Sequence, residues 1–465
     1  MTLMVHRKQA HPWATGKGAP MMDTTVEIPI WEVKRVLERH AAQEGMGLQI
    51  LERPQETAQE LGVNWRLELL RPLLDTSAPA NELCNRYKEH VKEQNAWRDR
   101  IRQEGSPSHP RYRAWRERQI RRANLEIGGA RNESIIHAPA AYELAVGCSV
   151  GCWFCGISAG KLSRLFEYTA ENAALWNDLL RAHEELIGPA LRWAFCYWGT
   201  DPLDNPDYEK FCLDLWRITG VFPQTTTALA LKNPARTRQL LEISQQHDVL
   251  CNRFSLLTLR QVLGVHQEFT PEELQRTELI PQNKESILRK AEAGKARDKD
   301  REPLVSSTTI ACVTGLLVNM CERTVRLVTP CKSDERWRDG FQVRYQGQFD
   351  TAADFLALVR GWFDSLPLSV EDLPLVRPGR ALSLKETETG FSIGSELHEV
   401  RLQDPNHSAY LRELGELIGE GRHQASTIAT LLSYTRLVAP AKTMELLESL
   451  FSQGGLDEEA ELWDR

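Results

Sequence analysis

Residues 142–158 read YELAVGCSVGCWFCGIS and bring three cysteines, Cys148, Cys152 and Cys155, within eight residues. The apolar run Ala141–Val146 just before them predicts a buried β-strand. Glycines at 147, 151 and 156 let the following segment fold back on itself. The spacing C-x3-C-x2-C after a strand therefore predicts that three thiolates face one inorganic group.

Two kinds of metal site, and one structural explanation, compete for this motif. A 4Fe–4S cluster takes one thiolate per iron, so three close cysteines without a fourth leave one iron open to another ligand. Structural zinc usually takes four ligands, often from two paired motifs. No second pair exists here, and His137, the nearest histidine, lies across the predicted strand. Three unrelated core cysteines are the third reading, and the spacing favours the cluster over both.

The composition is that of an ordinary globular chain of two or three domains, with 465 residues and a net charge of −7. This charge balance gives no reason to expect nucleic acid as a partner. No apolar run approaches the roughly 20 residues that span a bilayer, and residues 1–20 read as a tail and not as a signal peptide. A cytoplasmic location without a disulfide framework is expected. Seven further cysteines show no paired spacing: Cys84, Cys196, Cys212, Cys251, Cys312, Cys321 and Cys331.

Short apolar runs alternate with helical stretches after Gly129, which predicts parallel strands with crossover helices and hence a full or partial α/β barrel. The predicted strands are Ala141–Val146, Leu191–Trp198, Phe222–Ala228, Val249–Leu257, Thr308–Met320 and Thr324–Thr329. The predicted helices between them are Glu167–Leu186, Asp207–Ile218, Ala235–Gln246 and Pro271–Leu279, the last opening with a capping box.

Helical periodicity predicts helical regions on both sides of the barrel. The boundaries are 1–135 for the N-terminal region, 136–345 for the barrel and 346–465 for the C-terminal region. The predicted flanking helices are Trp31–Gln43, Ala58–Leu73, Ala80–Glu104, Arg111–Leu125, Ala352–Asp364, Ser408–Ile418 and Ala441–Phe451. The very polar stretch Gln282–Glu302 predicts a solvated helix or a loop, and Asp339–Gly340 predicts a hairpin turn.

The cysteine motif, with the aromatic Phe154 just before the third cysteine, resembles the radical S-adenosylmethionine (SAM) superfamily. The resemblance implies a partial (β/α)6 barrel like that of triosephosphate isomerase, a 4Fe–4S cluster on Cys148, Cys152 and Cys155, and SAM bound to the open iron. It further implies that cluster reduction cleaves SAM and releases a 5′-deoxyadenosyl radical.

Members of the superfamily place SAM contacts at later strand ends. The second predicted strand ends in Gly199, Thr200 and Asp201, where the resemblance implies close backbone approach and a carboxylate for the SAM ammonium. Asp201 departs from the commoner Gly-Gly-Glu form, and a simple turn before Pro202 is the competing interpretation. Thr227 ends the third strand, and its two interpretations are a SAM contact and an ordinary β-former. Arg253 and Ser255 share one face of the fourth strand and are candidates for SAM ribose or carboxylate contacts.

Further segments resemble the proteusin-type radical SAM peptide epimerases, which convert L-residues of ribosomal peptides to D-residues. They are YWGTDPLDNPDYEKF (197–211), TTIACVTGLL (308–317) and TPCKSDERWRDGF (329–341). Epimerisation needs a hydrogen-atom donor facing the planar Cα radical, and a thiol is suitable. Cys331, following the sixth strand, is expected at the barrel mouth and is preferred over Cys312 inside the fifth strand. An incidental loop thiol is the structural alternative for Cys331.

The resemblance implies a ribosomal precursor peptide, leader plus core, as substrate and a flavodoxin- or ferredoxin-like reductant. Crosslinking or methylation of a peptide, and a non-enzymatic metal-stabilised binding protein, remain alternatives. No cysteine follows Cys331, which argues against auxiliary clusters. Nine arginines in 97–122 suggest a grip on an acidic leader or on RNA phosphate, with a solvated helix as alternative: Arg98, Arg100, Arg102, Arg111, Arg113, Arg116, Arg118, Arg121 and Arg122.

Overall fold

The computed structural model describes residues 28–249, 251–288, 293–297 and 311–458, and the predicted N-terminal tail lies outside these ranges. Its helices are α1 Ile30–Ala42, α2 Met46–Glu52, α3 Pro54–Leu61, α4 Arg71–Leu74, α5 Glu82–Glu104, α6 Pro110–Ile127, α7 Gly129–Asn132, α8 Ala170–Ile187, α9 Tyr208–Thr219, α10 Pro234–Gln246, α11 Leu259–Glu268, α12 Ala352–Ser365, α13 Ser408–Glu420, α14 Ala425–Thr435 and α15 Pro440–Ser452. Its strands are β1 Ala138–Glu143, β2 Ala145–Val146, β3 Arg164–Leu165, β4 Thr226–Thr227, β5 Asn252–Leu256, β6 Thr277–Pro281, β7 Val313–Asn319, β8 Thr324–Pro330, β9 Phe341–Gln348, β10 Ser383–Thr387, β11 Gly390–Gly394 and β12 Glu399–Gln403.

The predicted alternation of strands and helices is present over β1 to β6. β1 leads through α8 to a parallel bridge between Ala141 and Phe195, and α9 then leads to β4. β4, β5 and β6 form a parallel three-stranded sheet connected by α10 and α11. The mixed α/β class is therefore confirmed, whereas the pairings among the described strands do not close a barrel.

The sheet around β1 is mixed. β7 runs parallel to β1, while β8 and β9 follow as antiparallel neighbours in the order β1-β7-β8-β9. Its outer face packs against α8, α9 and α12, with Trp176 and Phe355 fully buried. Its other face joins Phe195, Phe341 and Val313 in a second apolar cluster, which we call the interior cluster.

Three predicted barrel elements differ from the structure. The predicted second strand Leu191–Trp198 begins inside a 3-10 helix, Gly188–Trp193, and of its later residues only Phe195 reaches a strand partner. The third strand shortens to β4. The predicted helix Pro271–Leu279 is wrong: Thr270 and Glu273 do make reciprocal capping hydrogen bonds, but the chain turns at once into β6.

The C-terminal region is not purely helical. Besides α12, α13, α14 and α15 it contains the antiparallel meander β10–β11–β12, whose buried strand β11 packs against α13. Its five-residue strands give only short alternation between the longer helical patterns, so the sequence periodicity did not reveal them. The turn predicted at Asp339–Gly340 is present, because the Gly340 backbone N–H donates to the Trp337 carbonyl just before β9.

Part of the arginine-rich stretch is an internal support, while Arg100, Arg113 and Arg121 are exposed. Arg116 is buried and donates to the His137 carbonyl. Arg118 forms a bidentate pair with Glu458, both side chains 4% exposed. Arg122 pairs with Glu126 and donates to the Pro330 carbonyl. The six other arginines have intramolecular partners as well, and binding of a leader peptide or a phosphate by this stretch stays a prediction.

Within the described ranges, no helix combines the length and apolarity that crossing a membrane requires. The polar stretch 282–302 is described only in part. Residues 282–288 contain no helix, Gly294–Ala296 form a short 3-10 helix, and 289–292 and 298–302 lie outside the described residues.

Candidate functional site

The three cysteines lie on one loop that leaves the carboxyl end of β1 and is closed by its own later residues. The Cys148 N–H donates to the Gly160 carbonyl, and Leu162 N–H donates back to the Cys148 carbonyl at 3.2 Å. Gly147 makes this closure possible, since it has a φ of 78° and a Cβ there would lie 2.2 Å from the Lys161 carbonyl oxygen. The backbone N–H of Ala159 points at the Cys155 Sγ at 3.3 Å.

All three thiols are half-buried, which keeps them reachable from outside the core. Burial, with the neighbouring charges of Cys148 and Cys155, raises the pKa of Cys152 to about 12, and burial also raises the pKa of Cys148. Because a cysteine binds a metal as its thiolate, binding of a metal here would release protons from these thiols.

By its chemistry the donor set, three thiolates without a fourth close in sequence, fits a 4Fe–4S cluster with one open iron. In the described part of the chain, no three His, Cys, Asp or Glu side chains are grouped so that they could hold a metal ion. A 4Fe–4S cluster binds each thiolate to a different iron, so its ligands surround a cube and not a point. Cys148, Cys152 and Cys155 are the residues that would hold it.

Asp201 has a structural role in the fold. It is buried, and its carboxylate accepts hydrogen bonds from Thr227 Oγ1 at 2.7 Å, Ala228 N–H at 2.6 Å and Leu203 N–H at 3.0 Å. Burial, opposed by these donors, raises the pKa of Asp201 to about 6. The structure thus brings the predicted residues Asp201 and Thr227 together at the end of β4, where they bond to each other. The competing interpretation, an Asp that starts a turn before Pro202, is also present in the 3-10 helix Pro202–Asp204.

Glu143 is a site residue that the sequence analysis missed. It ends β1, and its Oε1 accepts from the Gly199 N–H at 2.9 Å while its Oε2 accepts from Asn319 at 3.1 Å. Burial raises the pKa of Glu143. A Cβ at Gly199 would lie 2.8 Å from Glu143 Oε1, so Gly199 provides close approach toward Glu143. An acid within an apolar strand, five residues before Cys148, was the available signal. Thr200 lies half-buried between Gly199 and Asp201.

Arg253 and Ser255 share one face of β5, as predicted, opposite Phe254 and Leu256 in the outer core. Arg253 Nε donates to Glu278, its direct neighbour on β6, at 2.9 Å. Although burial opposes it, the Glu278 carboxylate raises the pKa of Arg253. The positive charge of Arg253 also partly offsets the effect of burial on the pKa of Tyr197 and on the pKa of Cys312.

Cys312 belongs to the interior cluster, together with Tyr197 and with Ile157 from the cysteine loop. Burial raises the pKa of its thiol to about 11. Phe154, the aromatic of the motif, is half-buried and makes an edge-to-face contact with Trp153 at 5.3 Å between ring centroids.

The expected position of Cys331 is wrong in one respect. β8 is antiparallel to β7, and its register places Pro330 opposite Phe341 at the end of the sheet where β1 begins. Cys331 therefore does not follow a parallel strand into the barrel mouth, and it is buried. The segment 331–340 is nevertheless connected to the cysteine loop by two backbone hydrogen bonds through residues 294 and 295. Gly294 N–H donates to the Arg338 carbonyl, and Lys295 N–H donates to the Cys155 carbonyl.

The fold and the site together define an α/β protein with a three-cysteine loop at the carboxyl end of its first strand. No protein-family model matches the chain. It is 38% identical over 387 residues to the uncharacterized protein y4wI of Sinorhizobium fredii (strain NBRC 101917 / NGR234), a match covering 80% of this chain and 74% of the relative. The chain belongs to the same family as y4wI. A solved structure, BtrN in complex with AdoMet and 2-DOIA, overlaps 40% of this chain and 71% of its own at 14% identity and a TM-score of 0.29, an overlap too small to define the fold.

Proposed function

We propose that the chain is a radical SAM enzyme that converts L-residues of a ribosomally made peptide to D-residues. The observation that carries the proposal is the loop holding Cys148, Cys152 and Cys155 after β1, three half-buried thiols without a fourth nearby in sequence. When bound, the 4Fe–4S cluster and SAM would supply the hydrogen-abstracting radical. The chain's own residues would hold the peptide, exclude water and return a hydrogen atom.

A cysteine thiol is the proposed hydrogen donor, with two candidates. Cys312 packs in the interior cluster with Ile157 of the cysteine loop. This contact favours a position of Cys312 near the three cysteines that would hold the iron–sulfur group. Cys331 lies in the segment 331–340, whose Arg338 carbonyl is linked to the cysteine loop through Gly294. The leader peptide would contact exposed arginines of residues 97–122, such as Arg113 and Arg121, and the reductant would be a flavodoxin- or ferredoxin-like protein.

The test is an anaerobic reaction of the reconstituted chain with its candidate precursor peptide in deuterated water, analysed by mass spectrometry and chiral amino-acid analysis. We expect a gain of about one mass unit per converted centre, with D-residues present and lost in either Cys331→Ala or Cys312→Ala. Cys251→Ala, a buried thiol outside the proposal, is the matched control. SAM cleavage without deuterium gain would favour crosslinking or methylation, and zinc without iron would favour a metal-stabilised binding protein.

The cluster ligands are tested separately. Replacing Cys148, Cys152 or Cys155 by Ala is expected to abolish the brown absorbance of the reconstituted protein, because each thiolate holds one iron. Cys321→Ala, another half-buried cysteine, retains it. Unchanged iron content in all three loop variants would contradict the proposed site.

A further inference from the structure

The buried carboxylate of Asp204 contacts the cysteine loop directly. Its Oδ2 accepts from the Ser149 backbone N–H at 2.8 Å and its Oδ1 from the Ser149 hydroxyl at 2.5 Å. Ser149 is the residue after Cys148, so both bonds restrain the backbone between the first two cysteines. The Asp204 side chain is fully buried, and Lys232 Nζ lies 3.8 Å from it.

The segment that carries Asp204 is itself anchored. Asp204 ends the 3-10 helix Pro202–Asp204, and the next residue, Asn205, donates from Nδ2 to the Leu144 carbonyl at 2.9 Å and to the Phe166 carbonyl at 2.8 Å. Asn205 is also buried. The carboxylate is therefore fixed relative to Leu144, which directly precedes β2, and Phe166, which directly follows β3, and the cysteine loop lies between these two strands.

We propose that Asp204 is a positioning residue that holds Cys148 and its loop in the geometry for cluster binding and places a negative charge beside the cluster. The inference rests on the proposed function. Groups that orient metal ligands usually change metal affinity by about 10–100-fold when removed. A nearby carboxylate also lowers the reduction potential of a cluster, because the potential depends on local net charge.

Four variants of the full chain test this after anaerobic reconstitution. Asp204→Ala removes both bonds, Asp204→Asn removes the charge at nearly constant shape, and Ser149→Ala removes only the hydroxyl bond. Asp207→Asn is the matched control, since Asp207 accepts from a backbone N–H of Tyr168, away from the cysteines. Far-UV circular dichroism establishes that each variant is folded.

We expect Asp204→Ala to lose iron to a chelator about 10-fold faster than wild type, Ser149→Ala to show a smaller increase, and Asp207→Asn none. Asp204→Asn, which keeps the protein testable if the alanine variant does not fold, shifts the midpoint potential to a less negative value. The inference is overturned if the Asp204 variants lose iron at the wild-type rate and keep the wild-type midpoint potential. It is also overturned if Asp207→Asn loses iron as fast as Asp204→Ala. A wild-type chain that reconstitutes no iron–sulfur cluster fails at the first measurement, and that result overturns the proposed function together with this inference.

Discussion

Glu143 and Gly199 illustrate how single residues set the geometry beside the cysteine loop. The Gly199 N–H lies 2.9 Å from Glu143 Oε1, and Asn319 holds the other carboxylate oxygen. The contact joins the end of β1, the segment after Phe195 and the end of β7. A buried carboxylate is tolerated here because donors satisfy both of its oxygens.

Gly199→Ala is expected to lower the free energy of unfolding by about 1–3 kcal/mol, because the new methyl group would meet Glu143 Oε1 at 2.8 Å. Urea unfolding monitored by circular dichroism measures it. Gly361→Ala, in open space on α12, is the control and should leave stability unchanged or raise it by up to about 1 kcal/mol. Equal stability of the two variants would show that the close approach is unimportant.

Among the elements, α6 connects the α/β region to the C-terminal region. Its buried arginines reach Glu458, the His137 carbonyl and the Pro330 carbonyl, so one helix binds three separate parts of the chain. Its composition resembles a nucleic-acid or leader-binding helix, yet Arg116, Arg118 and Arg122 are used internally. Burial makes these ion pairs sensitive to the loss of one partner, since an unpaired buried charge is costly.

Glu458→Ala is expected to destabilise the protein by about 3–5 kcal/mol, because it leaves the buried guanidinium of Arg118 without its carboxylate partner. The matched change is Asp178→Ala, which breaks the exposed pair with Arg181 and should cost at most about 1 kcal/mol. Thermal or urea unfolding distinguishes them. Similar losses in both variants would mean that the Arg118–Glu458 pair does not anchor α6.

For the molecule as a whole, a buried histidine connects folding to pH. His183 on α8 is fully buried, and its Nδ1 lies within hydrogen-bond distance of the Tyr142 hydroxyl on β1. Burial lowers the pKa of His183 to about 3. Below the unfolded-state pKa near 6.5 the unfolded chain binds a proton that the native state does not, so stability is lost as pH falls from about 6.5 toward 3.

His183→Gln should therefore reduce the slope of unfolding free energy against pH between about 6.5 and 3, even if the variant is less stable overall. Urea midpoints measured across this range provide the slope. His398→Gln, an exposed histidine, serves as control. An unchanged slope in His183→Gln would assign the acid sensitivity to other groups.

Features that depend on the spacing of nearby residues could be predicted from the sequence alone. The C-x3-C-x2-C motif, the strand before it and the long amphipathic helices such as α1, α5, α8 and α12 follow from periodicity and turn chemistry over a few residues. The cysteine loop is therefore where the spacing predicted it. Local spacing does not predict a strand contact made by one residue alone, such as the bridge between Phe195 and Ala141.

Which distant residues contact each other depends on the tertiary structure alone. The antiparallel direction of β8 moved Cys331 away from the expected barrel mouth, because strand direction depends on the pairing partner and not on the strand's own residues. Tertiary contacts bury Arg116, Arg118 and Arg122 of α6, which makes these three arginines internal supports. Glu143 with Gly199, and Asp204 with Ser149, are separated by 55 residues or more, and nothing in local sequence indicates such contacts.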